Sequence, residues 1–352
     1  RDRHWRCHQQ QEVKSIMNMG FVNLNDNDNR DHKIVYVTGH LGFIGFYVAK
    51  ACLEAGWHVI GVDKMTYASN PDRDDELKKI AEQNNVEYDF IFKDINELDR
   101  LVDCDYVINC AAETHVDNSI DGSDVFLKSN INGVHHLLKL ITAKGRYGMP
   151  TFVHFSTDEV YGDITDGSFN ETHLLHPSNP YSATKAAADQ LILAWARTHA
   201  VPYVIVRPTN NYGSGQYVEK LIPKAVKFLQ LGRKIPLHLG GSPRRTWLHV
   251  EDTADAVIHI INSGTINEIY NIAGNFETSN LYVVQEVVRA FHGEDAVAHT
   301  NDYINTKYER PGADLRYSID GSKLKQLGWE PKRVFKEEIA RIVEYHKKHW
   351  IW

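Results

Sequence analysis

The sequence predicts an α/β protein with a Rossmann-type doubly wound parallel sheet and a smaller C-terminal α/β lobe. Short β-branched and apolar runs alternate with longer stretches of helical spacing, and a glycine-rich turn joins the first such strand to the first helix. Such alternation is typical of a parallel sheet covered by helices on both faces. Beyond about Pro208 the alternation loosens, which indicates a second lobe over one edge of the sheet.

The elements follow in order along the chain. Strands are predicted at 33–38, 57–62, 88–92, 106–110, 152–155 and 203–207, with helices at 43–55, 72–84, 125–142 and 181–199 between them. Further helices are predicted at 221–231, 250–262, 281–291 and 335–349, mixed with short extended segments. We therefore expect a Rossmann domain at 33–207 and a second lobe at 208–352 that is interleaved with it.

Residues 1–32 differ from the rest in composition. They contain three consecutive glutamines at 9–11 and an Asn/Asp-rich run at 23–29. Such a polar segment cannot bury enough apolar surface to offset its ordering entropy. We interpret it as a mobile arm without chemistry; the alternative is an arm that docks on a partner subunit.

Composition narrows the class of protein. The chain has 352 residues, a net charge of −7 and four cysteines without C-x-x-C spacing. This charge argues against a nucleic-acid partner or an anionic membrane surface, and the cysteines favour neither a disulfide framework nor a zinc site. No apolar run approaches the roughly 18 residues of a membrane span. We expect a cytoplasmic protein without a metal; His135 and His136 fall in a helical segment and are interpreted as packing residues.

The glycine-rich turn predicts a dinucleotide site. Its glycines, Gly39, Gly42 and Gly45, follow the first predicted strand and open the first helix. They would allow a tight turn, a close approach of backbone to a pyrophosphate, and close packing of helix on strand. Asp63 ends the next strand, where its carboxylate would accept a ribose hydroxyl and repel a 2′-phosphate. This pattern favours NAD over NADP.

Two further runs predict the reacting centre. Asp158 and Glu159 directly follow a predicted strand, at the sheet edge where open α/β folds bind ligands. Adjacent carboxylates push their pKa values apart, which would leave one as an acid and the other as a base. Tyr181 and Lys185 are four residues apart on one helix face, and we expect the lysine ammonium to lower the pKa of the tyrosine.

At these positions the sequence resembles the extended short-chain dehydrogenase/reductases, and within them the nucleotide-diphosphate-glucose 4,6-dehydratases. The group pattern T-G-x-x-G-F-I-G lies at 38–45 and Y-x-x-x-K at 181–185, while the dehydratase run S-T-D-E-V-Y-G stands at 156–162. The resemblance extends from about Lys33 to the C-terminus. It implies loss of water from a nucleotide-glucose, most closely dTDP-glucose, to give a 4-keto-6-deoxy sugar, with tightly bound NAD.

The resemblance also implies roles for individual residues. Tyr181 would deprotonate the sugar 4-hydroxyl with the help of Thr157 and Lys185, Glu159 would take the C5 proton, and Asp158 would protonate the leaving C6 hydroxyl. The expected cofactor contacts, Tyr181 and Lys185 among them, also include Gly39, Gly42, Phe43, Ile44, Gly45, Asp63, Lys64, Thr66, Asp94, Ile95, Ala111 and Ala112. The expected contacts to the nucleotide sugar, mainly from the second lobe, are Thr114, His115, Asn210, Lys220, Leu221, His238, Arg245, Asn271 and Arg310. A homodimer through helices 125–142 and 181–199 is also implied.

Several alternatives stay open at this point. His238 and Thr246 depart from the pattern of many thymidine-type members, so UDP-glucose is an alternative substrate. A sugar-nucleotide epimerase or decarboxylase is a second alternative, against which Asp158 argues. A third is a protein that senses NAD without catalysis, but such proteins usually lose the equivalent of Tyr181 or Lys185.

Overall fold

The computed structural model of the protein describes residues 32–309 and 314–349. In chain order its strands are β1 (Ile34–Thr38), β2 (His58–Asp63), β3 (Tyr88–Phe92), β4 (Tyr106–Asn109), β5 (Thr151–Phe155), β6 (Tyr203–Pro208), β7 (Asn210–Tyr212), β8 (Ile235–Pro236), β9 (Arg244–His249), β10 (Glu268–Ile272), β11 (Phe276–Ser279) and β12 (Ile304–Asn305). The predicted arm at 1–32 lies outside the described residues except for His32.

Seven of these strands form one parallel sheet in the spatial order β3-β2-β1-β4-β5-β6-β10. The first six reproduce the order of a doubly wound dinucleotide-binding sheet. The chain reverses its direction of travel between β1 and β4, so the carboxyl ends of these two strands border a crevice. The predicted fold class is thereby confirmed.

The helices are α1 (Phe43–Glu54), α2 (Asp72–Asn84), α3 (Val116–Asp121), α4 (Asp124–Phe126), α5 (Gly133–Thr142), α6 (Pro180–His199), α7 (Leu221–Gln230), α8 (Val250–Ser263), α9 (Asn280–His292), α10 (Thr300–Tyr303), α11 (Ser322–Gln326) and α12 (Phe335–Lys348). Helices α1, α2 and α8 bury apolar side chains against one face of the large sheet. Helices α5 and α6 cover the other face. Because helices cover both faces of the large sheet, its central strands are continuous runs of mainly apolar residues.

The second lobe is built on two small sheets, β11-β9-β7 and β12-β8, with a core contributed by α7, α9 and α12. Strand β10 and helix α8 come from the same part of the sequence, but β10 pairs with the large sheet and α8 packs against it. The chain therefore returns from the second lobe to the sheet, and the two parts share a continuous boundary along the carboxyl ends of the strands.

The predicted helix at 125–142 is wrong as one continuous α-helix. A π-helical turn at Leu127–Asn132 separates α4 from α5. Within this turn the Asn130 side chain accepts from the Glu113 backbone N–H at 2.9 Å and donates to the Glu113 carbonyl at 3.0 Å and the Thr184 hydroxyl at 2.9 Å. The turn thus ties the segment after β4 to helix α6, as π-turns often do near functional sites.

A buried histidine lies beneath the glycine-rich turn. The ring of His40 is fully enclosed, and its Nε2 lies 2.9 Å from the Tyr88 hydroxyl. It occupies the space above Gly61 of β2, where a Cβ atom would come within 2.4 Å of the ring. Glycine at 61 therefore makes room for this ring. No helix within the described ranges is long and apolar enough to cross a bilayer.

Candidate active site

A cleft of about 280 Å³ opens where the carboxyl ends of the central strands meet the second lobe. It collects every predicted cofactor residue except Lys185, together with the predicted catalytic residues Thr157, Asp158 and Glu159. The described residues contain no group of three His, Cys, Asp or Glu side chains placed to hold a metal ion. The position of the cleft is that expected for a ligand site in an open α/β fold.

The glycine-rich turn is shaped by two close backbone approaches. Gly39 has a φ of 67°, and a Cβ there would lie 2.8 Å from the backbone of Ala111. A Cβ on Gly45 would lie 2.1 Å from the Gly39 carbonyl oxygen. Gly42 is the N-cap of α1 and provides no side-chain cap, so the first N–H groups of this helix face the cleft wall. Free N–H groups and the positive end of the helix dipole suit a pyrophosphate.

Asp63 stands at the end of β2, inside the cleft wall. Its carboxylate accepts bonds from the backbone N–H groups of Leu41 at 3.0 Å and Met65 at 2.7 Å, and from the Ser69 hydroxyl at 3.1 Å. A carboxylate has about four acceptor positions, so one remains for a ribose hydroxyl. These contacts fix the carboxylate at the edge where an adenosine ribose would lie, and its negative charge disfavours a 2′-phosphate.

The predicted catalytic carboxylates, Asp158 and Glu159, open a 3-10 turn at Asp158–Tyr161, shortly after β5. Thr157 caps this turn: its hydroxyl accepts from the Glu159 N–H at 3.3 Å and donates to Asp158 at 3.1 Å. Asp158 is 3% exposed, and one of its oxygens has no partner. Burial, reinforced by the charge of Glu159, raises the pKa of Asp158 to about 7. A carboxyl that stays protonated near neutral pH can act as a general acid.

Tyr181 and Lys185 enter the site from the start of α6. A capping box between Asn179 and Ser182, followed by Pro180, fixes where this helix begins. The Tyr181 ring packs with Phe126 and Val116, which leaves its hydroxyl end at the cleft. The sequence pattern therefore located this pair correctly on one helix face.

The expected electrostatic effect of Lys185 on Tyr181 is wrong in this structure. Burial and the charge of Glu159 raise the pKa of Tyr181, and a hydrogen bond with Thr157 only partly opposes this. The Lys185 ammonium instead donates to the Phe155 carbonyl at 2.5 Å and lies 3.5 Å from His154. It is nearly enclosed, and burial lowers the pKa of Lys185 to about 8. The four-residue spacing places Lys185 and Tyr181 on the same face of α6, but the Phe155 carbonyl determines where the Lys185 ammonium lies.

Of the predicted nucleotide-sugar residues, Thr114, Asn210 and Lys220 line the cleft. The Lys220 ammonium donates to the Thr114 carbonyl at 3.0 Å, which connects the second lobe to the segment after β4. The remaining described candidates lie outside this cleft wall: His115, Leu221, His238, Arg245 and Asn271. Arg310 lies outside the described residues.

One of these predictions needs correction, and one residue has a structural contact that was not predicted. Asn271 is fully buried; its oxygen accepts from Tyr161, and its amide nitrogen donates to the carbonyls of Phe169 and Asp320. Its amide is thus engaged within the fold and cannot reach a ligand. His115 caps α3 by accepting from the Asn118 N–H at 3.4 Å, which gives it a structural part at this edge.

The sequence interpretation missed a second-lobe contact with the catalytic carboxylates. The Tyr317 hydroxyl lies 3.4 Å from the Glu159 carboxylate and also donates to Asp314, and the Arg245 guanidinium stacks on the Tyr317 ring at 4.2 Å. Arg245 is held in place by the Asp314 carbonyl at 2.9 Å. Tyr317 follows Glu159 by 158 positions, so no local spacing could have indicated this contact.

It also missed a buried ion pair behind the catalytic turn. Arg207 of β6 donates through two nitrogens to Asp189 of α6, at 3.1 and 2.9 Å. Asp189 also accepts from the Ser156 hydroxyl at 2.9 Å, directly before Thr157. Through Ser156, the ion pair therefore helps to hold the segment that leads into the 3-10 turn at Asp158–Tyr161.

The chain is similar to a known family of enzymes and to individual proteins over most of its length. The family model described as GDP-mannose 4,6 dehydratase matches residues 36–342. The chain is 38% identical over 330 residues to a dTDP-glucose 4,6-dehydratase of Streptomyces niveus, covering 90% of this chain and 94% of that protein. It is also 38% identical to the low-salt glycan biosynthesis protein Agl12 of Haloferax volcanii, covering 89% of this chain and 98% of that protein.

A solved structure extends the likeness to the cofactor. The dTDP-glucose 4,6-dehydratase of Streptomyces venezuelae, crystallised with NAD, superposes with a TM-score of 0.81 at 33% identity. The match covers 90% of this chain and 97% of the other.

Proposed function

Because the chain belongs to the GDP-mannose 4,6-dehydratase family, we propose that it removes water from dTDP-glucose to form the 4-keto-6-deoxy sugar, with NAD as a tightly bound cofactor. The observation that carries this proposal is the enclosed Asp158 beside the more accessible Glu159, both within one cleft with Tyr181. An elimination needs an acid and a base together, and an oxidation at a neighbouring carbon needs a base and a hydride acceptor.

The residues of the cleft fit NAD. At Gly39 and Gly45 the turn leaves no space for a Cβ atom, so its backbone can approach a pyrophosphate, and Asp63 lies where an adenosine ribose would be held. When bound, NAD would accept the C4 hydride, return it to C6, and bring a positive ring that favours the ionised form of a nearby phenol.

The protein's own groups would supply the proton transfers. Tyr181 would take the proton of the 4-hydroxyl, and the Thr157 hydroxyl would be hydrogen-bonded to Tyr181. Formation of the 4-ketone acidifies the C5 proton, which Glu159 would remove. Asp158, whose pKa of about 7 keeps a proton available, would protonate the C6 hydroxyl as it leaves as water.

The mass of the product tests the proposal. Purified protein incubated with dTDP-glucose and a catalytic amount of NAD is expected to yield a nucleotide sugar lighter by one water. An epimerase would give a product of unchanged mass, and a non-catalytic NAD-binding protein would give none. Either of those results would contradict the dehydratase assignment.

We also propose a homodimer in the cytoplasm, held through helices α4, α5 and α6. Near the start of this surface, the apolar side chains of Ile120 in α3, Val125 in α4 and Leu127 in the π-turn are between 41% and 55% exposed. Adjacent exposed apolar side chains often mark an interaction surface. Light scattering during gel filtration is expected to give the mass of two chains, and Val125→Lys is expected to shift that mass toward one.

A further inference from the structure

A loop of the second lobe covers the cleft. We call residues 213–220, between β7 and α7, the roof loop. Four of its side chains line the cleft: Gln216, Tyr217, Glu219 and Lys220. A dinucleotide bound in the cleft would therefore lie against the roof loop.

The start of the roof loop is anchored to the Rossmann domain through its backbone. The Tyr47 hydroxyl donates to the Ser214 carbonyl at 3.0 Å, and the Arg73 guanidinium donates to the Gly215 carbonyl at 2.6 Å. Arg73 is buried and also donates to the Leu41 carbonyl at 2.8 Å. These contacts fix one end of the roof loop to the segment under the glycine-rich turn.

The far end of the roof loop is held by side chains from the segment after β2 and from α3. The Tyr67 hydroxyl donates to the Glu219 carboxylate at 3.1 Å and accepts from the Asn118 amide at 3.4 Å. The rings of Tyr67 and Tyr217 meet edge to face with centroids 5.3 Å apart. Tyr67 is 48% exposed and does not line the cleft, whereas its neighbours Thr66 and Ala68 do. It therefore holds the roof loop from outside the cleft.

We propose that Tyr67 is a positioning residue that closes the roof loop over the dinucleotide by its bond to Glu219, and thereby keeps NAD in place between turnovers. The inference rests on the proposed function, because a reaction that takes a hydride from C4 and returns it to C6 loses its intermediate if the cofactor leaves midway. Burial and the charge of Glu219 raise the pKa of Tyr67, so the phenol remains a donor at neutral pH.

The test compares release of labelled NAD. Protein loaded with radiolabelled NAD is diluted into excess unlabelled NAD, and the label left on the protein is followed in time. Tyr67→Phe removes only the hydroxyl and is expected to release label about tenfold faster, since a hydrogen bond to a charged group contributes enough for such a factor. Tyr147→Phe makes the same chemical change at a side chain that is 99% exposed, and is expected to release label at the wild-type rate.

A double-mutant cycle shows whether the two side chains act together. If they form one closure, Tyr67→Phe combined with Glu219→Ala should release label no faster than Glu219→Ala alone. Wild-type release from Tyr67→Phe, or additive effects in the double variant, would overturn the inference. Formation of the dehydrated product is measured separately: faster release without product would support the closure and contradict the proposed reaction. A wild-type chain that binds no label would overturn both.

Discussion

Asp158 and Glu159 are adjacent and chemically alike, yet the fold gives them different surroundings. Asp158 is enclosed and has one oxygen without a partner, while Glu159 is partly exposed and contacts Tyr317 of the second lobe. Two carboxyl groups in such different environments can have different pKa values. In the proposed mechanism, the assignment of Asp158 as acid and Glu159 as base therefore depends on burial, which residue type alone does not determine.

Tyr181→Phe is expected to lower kcat by about 10²–10⁴-fold, because it removes the base and leaves the cofactor cradle intact. Steady-state turnover of dTDP-glucose measures the loss, and bound NAD per chain provides the control. A variant that kept more than about a tenth of the wild-type kcat would show that another group deprotonates the sugar.

Asp158→Asn is expected to stabilise the protein, and more strongly at pH 8 than at pH 5. The folded-state pKa of Asp158 is raised to about 7 from 3.8, so the native state holds the proton more tightly than the unfolded state. Its contribution is therefore greatest below about pH 4 and declines as pH rises to about 7. Urea unfolding at both pH values should show the advantage of Asp158→Asn growing by about 2–3 kcal/mol. An equal advantage at both values would place the pKa of Asp158 near its ordinary range.

At the level of elements, local patterns were sufficient for most of the fold. Helix α2 and strand β3 have the bounds predicted for them, and the other predicted bounds lie within one residue of those observed, apart from the helix broken by the π-turn. Caps, apolar runs and glycines are local signals, and in this chain they agree with the tertiary packing.

Contacts between distant segments were not predictable in this way. The π-turn depends on the fit of Asn130 against Glu113 and Thr184, which hydrophobic periodicity does not express. The contact between Tyr317 and Glu159 depends on the packing of the second lobe against the sheet, which local sequence patterns do not describe. Lys185 shares a helix face with Tyr181 as predicted, but its partner is a carbonyl of β5.

The ion pair between β6 and α6 gives a prediction at this scale. Arg207→Met leaves the Asp189 carboxylate enclosed without its cation, and is expected to cost about 3–5 kcal/mol of folding free energy. Arg207→Met combined with Asp189→Leu should recover part of this loss, because the uncompensated carboxylate is removed while Lys185 loses a neighbouring anion. Denaturant unfolding of the two variants measures both effects. A single variant as stable as the wild type would mean that water or another group compensates Asp189.

For the whole molecule, we propose that the second lobe determines which nucleotide is accepted. Contacts to a diphosphate cannot distinguish bases, and the resemblance implies that selection depends on residues near Lys220 and the segment 236–238. His238 lies at the start of the 3-10 turn His238–Gly241, outside the wall of the main cleft. Of these residues, Lys220 lines the same cleft as the reacting centre, whereas His238 does not.

We predict that dTDP-glucose is the preferred substrate and UDP-glucose a measurable second one. The two bases differ by one methyl group, which limits discrimination to about 10–200-fold. Values of kcat/KM for dTDP-, UDP-, CDP- and GDP-glucose under one condition test this order. A preference for the UDP sugar would reverse the order, and a preference for the GDP sugar would exclude a site built for pyrimidines.

The ring of His40 above Gly61 restricts the substitutions open to this protein over evolutionary time. A side chain introduced at 61 would collide with the imidazole within 2.4 Å, so it is tolerable only after position 40 has become small. Replacing His40 first avoids this collision but leaves an empty volume beneath the dinucleotide turn, and a void of this kind lowers stability. A path between sequences that fills position 61 must therefore change position 40 first and pass through a less stable intermediate, so descendants of this chain should vary at the two sites in step.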